Sequence, residues 1–170
     1  METVLPADIA QMAARVVAEN KAADRTVAVA ESCTGGLVTA AITEVPGSSA
    51  ILGSGYVTYS NQAKMTMLGV NEDIIDTFGA VSVAVAWAMA QGALKKSGAD
   101  IAVAISGVAG PDGGTANKPV GTVVFAVALK GQNPEDVVGD KKAFGEDKSR
   151  ADIRAFATLY ALELLLPPAP

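Results

Sequence analysis

The sequence contains no histidine. Imidazole is the usual proton-transfer group near neutral pH and a common nitrogen ligand of metals in proteins. Its absence excludes Ser–His and Cys–His catalytic pairs and every imidazole metal site. A general base in this chain must be a lysine, an aspartate, a glutamate, a tyrosine or a polarised water molecule.

Cysteine, basic clusters and long apolar runs are also scarce or missing. Cys33 is the single cysteine, so no internal disulfide forms and nothing demands an oxidising compartment. We see no basic segment followed by an apolar run at the N-terminus and no uncharged stretch of membrane-spanning length. The net charge is −5 without any Lys/Arg cluster, which argues against nucleic-acid binding. We expect a cytoplasmic protein that binds neither membranes nor nucleic acids.

The composition and the order of the elements predict an α/β fold. Half of the residues are apolar and only 5% are aromatic, a mixture typical of helices packed closely on a sheet. A chain of 170 residues fits a single domain over residues 1–170. Strand patterns cover residues 26–31, 50–59, 101–105, 120–129 and 137–144.

Helical patterns lie between these strands. They cover residues 6–22, 35–44 and 82–96, with two short helices capped by Ser60 or Asn61 and by Asn71, and a last helix capped by Asp147 or Ser149. The last two strands read as a hairpin, so at least one strand is antiparallel. The sequence therefore predicts a three-layer α/β/α sandwich with a mixed, mostly parallel sheet of about five strands.

The most informative stretch is VAVAESCTGG at residues 27–36. It reads as a buried strand that ends in polar residues and two glycines, directly before a helix beginning near Leu37. Ligands bind beyond the carboxyl ends of such strands, where the first N–H groups of a helix lack partners. This position suits a nucleophilic Ser32 beside an oxyanion hole formed by the N–H groups of residues 33–36, or a phosphate cradle. The alternative is that Ser32 or Thr34 simply caps the helix.

Two further segments end in polar residues that can meet Ser32. Ser106 and Gly107 follow the third strand, and Tyr59 and Lys64 follow the second. A lysine acts as a general base for serine when burial lowers its pKa, and Ser–Lys pairs are an established variant of acyl transfer. Tyr59 would relay the proton or orient the groups. The alternative for Lys64 is a solvated lysine on a polar helix face.

Six motifs occur in an order that resembles a known family. They are AESCTGG at 30–36, VPGSS at 45–49, YSNQAK at 59–64, GAVS at 79–82, SGVAGPDGG at 106–114 and KPVGTV at 118–123. From about Val27 to Leu165 the chain resembles the CinA C-terminal domain family, which includes nicotinamide mononucleotide amidohydrolases. The likeness is to the stand-alone form, without the additional N-terminal domain of larger CinA proteins.

This resemblance implies a deamidase without metal or cofactor. Such an enzyme converts nicotinamide mononucleotide to nicotinate mononucleotide and ammonia, a step of pyridine nucleotide salvage. The Ser–Lys dyad of the family falls on Ser32 and Lys64. Ser106 stands where many members have threonine, so a hydroxyl is kept. We also expect a homo-oligomer, either a dimer or a larger assembly.

A substrate of this kind carries a phosphate, so the site needs anion binders. An arginine fork suits phosphate well, and Arg150 and Arg154 lie on the last helix, whereas Ser49, Thr115 and Lys118 are further candidates. The alternative for Arg150 is a solvated residue near a helix start. The predicted substrate-binding residues are Cys33, Thr34, Gly35, Gly36, Ser48, Ser106, Gly107, Gly113, Gly114 and Arg150.

Two alternatives concern the chemistry itself. A thiolate at a helix N-terminus is a good nucleophile, but without a histidine partner Cys33 is expected to point into the core. The chain is alternatively a nucleotide-binding or interaction module without turnover. A P-loop phosphotransferase and a dinucleotide oxidoreductase are disfavoured because their glycine fingerprints are missing.

Overall fold

A five-stranded sheet forms the centre of the computed structural model, which describes residues 3–168. The strands are β1 (Val27–Glu31), β2 (Leu52–Val57), β3 (Ile101–Gly107), β4 (Thr122–Leu129) and β5 (Val138–Ala143), in the spatial order β2-β1-β3-β4-β5. β1 pairs in parallel with β2 and β3, whereas β4 pairs antiparallel with β3 and β5. Only β4 runs against the other strands, so the prediction of a mixed, mostly parallel sheet is confirmed.

Helices cover both faces of this sheet. They are α1 (Ala7–Ala22), α2 (Leu37–Thr43), α3 (Asn61–Leu68), α4 (Glu72–Phe78), α5 (Val83–Ser97) and α6 (Arg150–Leu164). α1, α2 and α6 pack on one face, and α3, α4 and α5 pack on the other. The predicted three-layer α/β/α architecture is confirmed. No helix within residues 3–168 has the length and apolar character needed to cross a membrane. Residues 1–2 and 169–170 of the predicted domain lie outside the described residues.

The two faces of the sheet carry side chains of different size. Successive residues of a strand point to opposite faces. Towards α1, α2 and α6 the central strands present Val27, Val29, Ile101, Val103 and Ile105. Towards α5 they present Ala28, Ala30, Ala102 and Ala104. The alanine face lets α5 lie close to the sheet, which accounts for a composition rich in alanine and poor in aromatics.

The helix starts follow local capping chemistry. The side chains of Ser60, Asn71, Ser82 and Ser149 each accept a hydrogen bond from a backbone N–H of the first turn. The predicted caps Asn71 and Ser82 are confirmed, and the open choices at α3 and α6 fall on Ser60 and Ser149. α6 begins after Ser149, so its first residue is Arg150. Arg150 contacts Gly110, which follows β3, and therefore lies at the edge of the sheet where β1 and β3 end.

α2 begins at Leu37, which confirms the start predicted near that residue, whereas the predicted range 35–44 begins two residues too early. Gly35 and Gly36 have φ values of 61° and 99°, in the left-handed region, so a right-handed helix cannot include them. Residues 32–36 therefore form a tight turn between β1 and α2. β2 is also shorter than predicted, because a 3₁₀ turn over Ser48–Ala50 precedes it.

Gly92 allows α5 to pass close to the end of α3. A Cβ atom built at this position lies 2.0 Å from the carbonyl oxygen of Leu68. In an open helix, replacing glycine by alanine stabilises by up to about 1 kcal/mol. Here we expect Gly92→Ala to lower the free energy of unfolding by about 1 to 3 kcal/mol, measured by denaturant titration. The control is Gly53→Ala, where no atom lies within 4 Å of the added Cβ. Equal stability of the two variants would contradict this packing.

Candidate active site

The carboxyl ends of β1, β2 and β3 meet at one edge of the sheet and enclose a cavity. Its volume is about 230 Å³. Seven of the predicted site residues line it: Ser32, Cys33, Tyr59, Lys64, Ser106, Gly107 and Arg150. Asn61, Ala80, Val81 and Ala109 complete the wall. The parallel pairing of β1 with its two neighbours brings these sequence-distant segments together.

Lys64 and Ser32 are in direct contact inside this cavity. Lys64 Nζ lies 3.1 Å from Ser32 Oγ and donates a hydrogen bond of 2.9 Å to the carbonyl oxygen of Thr58. Lys64 is only 1% exposed, so the alternative of a solvated surface lysine does not hold. Its position four residues before Leu68 places both side chains on the inner face of α3.

The surroundings of Lys64 favour the neutral amine. No carboxylate oxygen of residues 3–168 lies within 4.0 Å of its Nζ. Burial without an anionic partner disfavours the charged ammonium, and it lowers the pKa of Lys64 below the ordinary lysine value. A neutral amine has a lone pair that can accept a proton, and Ser32 Oγ lies at hydrogen-bonding distance from it, as a general base requires.

Glu31 occupies the N-terminus of α2 from within the protein. Its fully buried carboxylate accepts hydrogen bonds from the N–H groups of Gly36, Val38 and Thr39 at 2.9 to 3.1 Å, and from the Thr39 hydroxyl at 2.8 Å. The Glu31 carboxylate thus already interacts with the positive end of the α2 helix dipole. Neither Ser32 nor Thr34 caps the helix through its side chain.

The candidate oxyanion donors are fewer than the sequence suggests. The Gly36 N–H donates to Glu31, and the Gly35 N–H donates to the Ser32 carbonyl at 3.0 Å. Among residues 3–168, the N–H groups of Cys33 and Thr34 donate to no other residue. Cys33 lines the cavity, whereas Thr34 is fully buried and does not line it, so the Cys33 N–H is the candidate oxyanion donor of the predicted stretch 33–36.

Arg150 and Tyr59 form the mouth of the cavity. The Arg150 guanidinium donates to the carbonyl oxygen of Gly110 at 2.7 Å and to the Tyr59 hydroxyl at 2.9 Å. Tyr59 is 60% exposed, so its ring borders solvent. Ser106 is instead buried, and its hydroxyl donates to the Ala80 carbonyl at 2.8 Å. Ser106 therefore shapes the wall between α5 and β3 rather than offering a free nucleophile.

Several predicted binding residues lie elsewhere. Ser48 precedes β2 at the amino ends of the strands, because parallel pairing aligns the start of β2 with Val27. It therefore lies at the edge of the sheet opposite Ser32 and does not line this cavity, and its contact with substrate stays a prediction. Gly113 and Gly114 line a separate open cleft of the 111–120 loop. Arg154 donates to backbone carbonyls of the Ser32 turn and does not line the cavity.

Cys33 has the environment of a core residue. It is 5% exposed and packs among the apolar side chains beneath α1, α2 and α6. Burial raises the pKa of its thiol to about 11, so it is protonated near neutral pH and is a weak nucleophile. Among residues 3–168, His, Cys, Asp and Glu side chains form no group of three or more that could hold a metal ion.

Comparison with known proteins places the chain in a family. The sequence matches the CinA C-terminal domain over residues 9–167. The chain belongs to the CinA C-terminal domain family. A crystal structure of the competence/damage inducible protein CihA from Agrobacterium tumefaciens superposes with a TM-score of 0.91 at 44% identity, covering 96% of this chain and 97% of that one.

Relatives in the CinA family carry two kinds of name. The nicotinamide-nucleotide amidohydrolase PncC of Escherichia coli K12 is 47% identical over 93% of each chain. A putative competence-damage inducible protein of Symbiobacterium thermophilum is 58% identical over 72% of this chain. The matched part spans only 28% of the length of the Symbiobacterium protein.

Sequence reasoning missed the functions of Glu31 and of the Thr58 carbonyl in this CinA domain. A carboxylate at the end of the apolar strand VAVA, just before a helix start, was the available signal for Glu31. No sequence pattern identifies the Thr58 carbonyl, because its contact with Lys64 depends on how β2 turns into α3.

The lowered pKa of Lys64 predicts a pH-dependent stability. At a pH below the pKa of Lys64 in the folded protein, the buried side chain is charged, and this charge costs stability. At a pH above its pKa in the unfolded chain, about 10.4, Lys64 is neutral in both states. Between these limits the unfolded chain binds more protons, so wild type gains stability with rising pH relative to Lys64→Met.

The measurement is the free energy of unfolding of both proteins by denaturant titration between about pH 7 and about pH 10. The control is Lys21→Met on the exposed surface of α1. A difference between wild type and Lys64→Met that stays constant across this range would show that burial does not perturb Lys64.

Proposed function

We propose that this chain is an amidohydrolase that converts nicotinamide mononucleotide to nicotinate mononucleotide and ammonia. The observation that carries the proposal is the buried Lys64 amine 3.1 Å from Ser32 Oγ, with the backbone N–H of Cys33 beside it in the lining of the cavity. The similarity to the Escherichia coli PncC amidohydrolase over nearly the whole of both chains supports the choice of substrate.

In the first half of the reaction, Ser32 attacks the carboxamide. As the Ser32 Oγ–C bond forms, neutral Lys64 takes the hydroxyl proton and the carbonyl electrons move to oxygen. The N–H group of Cys33 stabilises this oxyanion. The C–N bond then breaks, and the leaving nitrogen takes the proton from Lys64 and departs as ammonia. A pyridine carboxylate ester of Ser32 remains.

The second half uses the same groups with water. Lys64, neutral again, takes a proton from a water molecule as that water attacks the ester carbonyl. The oxyanion forms at the same Cys33 N–H group, and the C–Oγ bond breaks. Ser32 recovers its proton from Lys64, and nicotinate mononucleotide leaves. The sum is one amide and one water converted to one carboxylic acid and one ammonia.

The cavity accommodates the reacting end of the substrate. Its volume of about 230 Å³ is below the roughly 300 Å³ at the lower end of ligand pockets, so the ribose and phosphate extend through the mouth. Arg150 lies at that mouth, where its positive charge attracts the phosphate. Tyr59 orients Arg150 through its hydroxyl. Assembly into a homo-oligomer stays a prediction.

A binding module without turnover is the second candidate. Relatives of higher identity are named as competence-damage inducible or CinA-like proteins, and the matched domain is about a quarter of their length. Such a module has no need of a buried lysine beside a serine. Nucleotide binding by wild type without ammonia release would favour this candidate.

Ammonia release from nicotinamide mononucleotide, measured with chelator present, tests the proposed function. We expect wild type to be active and Ser32→Ala to lose at least about 1,000-fold in kcat, because the attacking oxygen is gone. Ser97→Ala, at the end of α5 and away from the cavity, is the matched control and keeps wild-type activity. A folded Ser32→Ala variant that retains turnover rejects Ser32 as the nucleophile.

A further inference from the structure

We propose that Arg154 is a positioning residue that fixes the oxyanion-binding peptide of this amidase, an inference that rests on the proposed function. Arg154 lies on α6, one turn after Arg150. Its Nε donates to the carbonyl oxygen of Cys33 at 3.2 Å, and its Nη2 donates to that of Thr34 at 2.9 Å. One guanidinium therefore binds the carbonyl oxygens of the two residues that directly follow Ser32.

These hydrogen bonds set the direction of the Cys33 N–H. In a trans peptide the C=O of one residue and the N–H of the next point in opposite directions. The held Thr34 carbonyl therefore orients the Gly35 N–H, which donates to the Ser32 carbonyl at 3.0 Å. The held Ser32 carbonyl in turn orients the Cys33 N–H, and Cys33 lines the cavity.

The turn needs such a restraint because its own chain is permissive. Gly35 and Gly36 both have positive φ values, and glycine lacks the side chain that would restrict rotation. Glu31 fixes the far end of the turn through the Gly36 N–H. Arg154 is the matching restraint at the near end. A buried anion thus holds N–H groups of this segment, while a cation holds its carbonyls.

Arg154 also strengthens the donor that it orients. A charged donor on a carbonyl polarises the peptide unit, which makes the N–H of that unit a better hydrogen-bond donor, and the effect passes through the Gly35 N–H to the peptide between Ser32 and Cys33. The preorganised Cys33 N–H acts where negative charge develops, so the benefit appears mainly in the transition state. Direct contact with substrate is a different role, and it falls to Arg150, because Arg150 lines the cavity and Arg154 does not.

The test compares Arg154→Ala and Arg154→Lys with wild type in ammonia release from nicotinamide mononucleotide. We expect Arg154→Ala to lower kcat by about 10- to 100-fold, less than the roughly 100- to 1,000-fold for removing an oxyanion donor outright. KM should change by less than about 3-fold, because ground-state binding is untouched. Arg154→Lys, with one ammonium in place of the fork, should recover kcat only in part.

A second readout separates positioning from general structural support. The substrate analogue in which a boronic acid replaces the carboxamide forms a tetrahedral adduct with the serine oxygen and mimics the oxyanion. Arg154→Ala should weaken its binding by about the same factor as it lowers kcat/KM, while the affinity for nicotinate mononucleotide stays at the wild-type level. Arg15→Ala is the matched control, since Arg15 pairs only with Glu19 on the surface of α1.

The outcomes distinguish this inference from the proposed function. No ammonia release by wild type rejects the function, and the positioning role falls with it. An active wild type with unchanged kcat in Arg154→Ala rejects the inference alone. A raised KM at constant kcat, or a lowered kcat with full affinity for the boronic acid, also rejects it. Should Arg154→Ala not fold, the same comparisons with Arg154→Lys decide.

Discussion

The burial of the Lys64 amine against Ser32 is the interaction on which the rest of the site depends. A charged ammonium placed in a protein interior needs an anionic partner, and the described residues supply only the Thr58 carbonyl and the Ser32 hydroxyl within reach. The protein therefore favours the neutral amine there. Burying Lys64 costs stability, and the same burial lowers its pKa and makes it a base in a chain that has no histidine.

The sheet and the charged residues around the Ser32 turn give this pair its geometry. Parallel pairing of β1, β2 and β3 brings three polar strand ends to one edge, and α3 returns from β2 so that Lys64 points back at Ser32. Glu31 accepts a hydrogen bond from a backbone N–H of the turn, and Arg154 donates hydrogen bonds to its backbone carbonyls. Two charged residues outside the proposed reaction thus shape the surroundings of the two that carry it.

Much of the fold follows from local patterns, whereas parts of the site depend on tertiary contacts. The caps Asn71 and Ser82 and the apolar strand β3 are local signals, and the structure has them. The range 35–44 predicted for α2 begins two residues too early, because Gly35 and Gly36 adopt left-handed φ values. Ser48 is predicted as a binder of the substrate phosphate, and the direction of β2 places it at the other edge of the sheet. The carbonyl contacts of Arg154 depend on how α6 packs beside β1, which no local pattern reports.

The pH dependence of kcat/KM for ammonia release from nicotinamide mononucleotide tests the central claim most directly. If Lys64 must be neutral to take the Ser32 proton, kcat/KM rises with pH to a plateau. The apparent pKa of this rise lies below the ordinary lysine value of about 10.4. A kcat/KM that falls as Lys64 loses its proton, or that rises only near that ordinary value, would contradict a neutral Lys64 acting as the base.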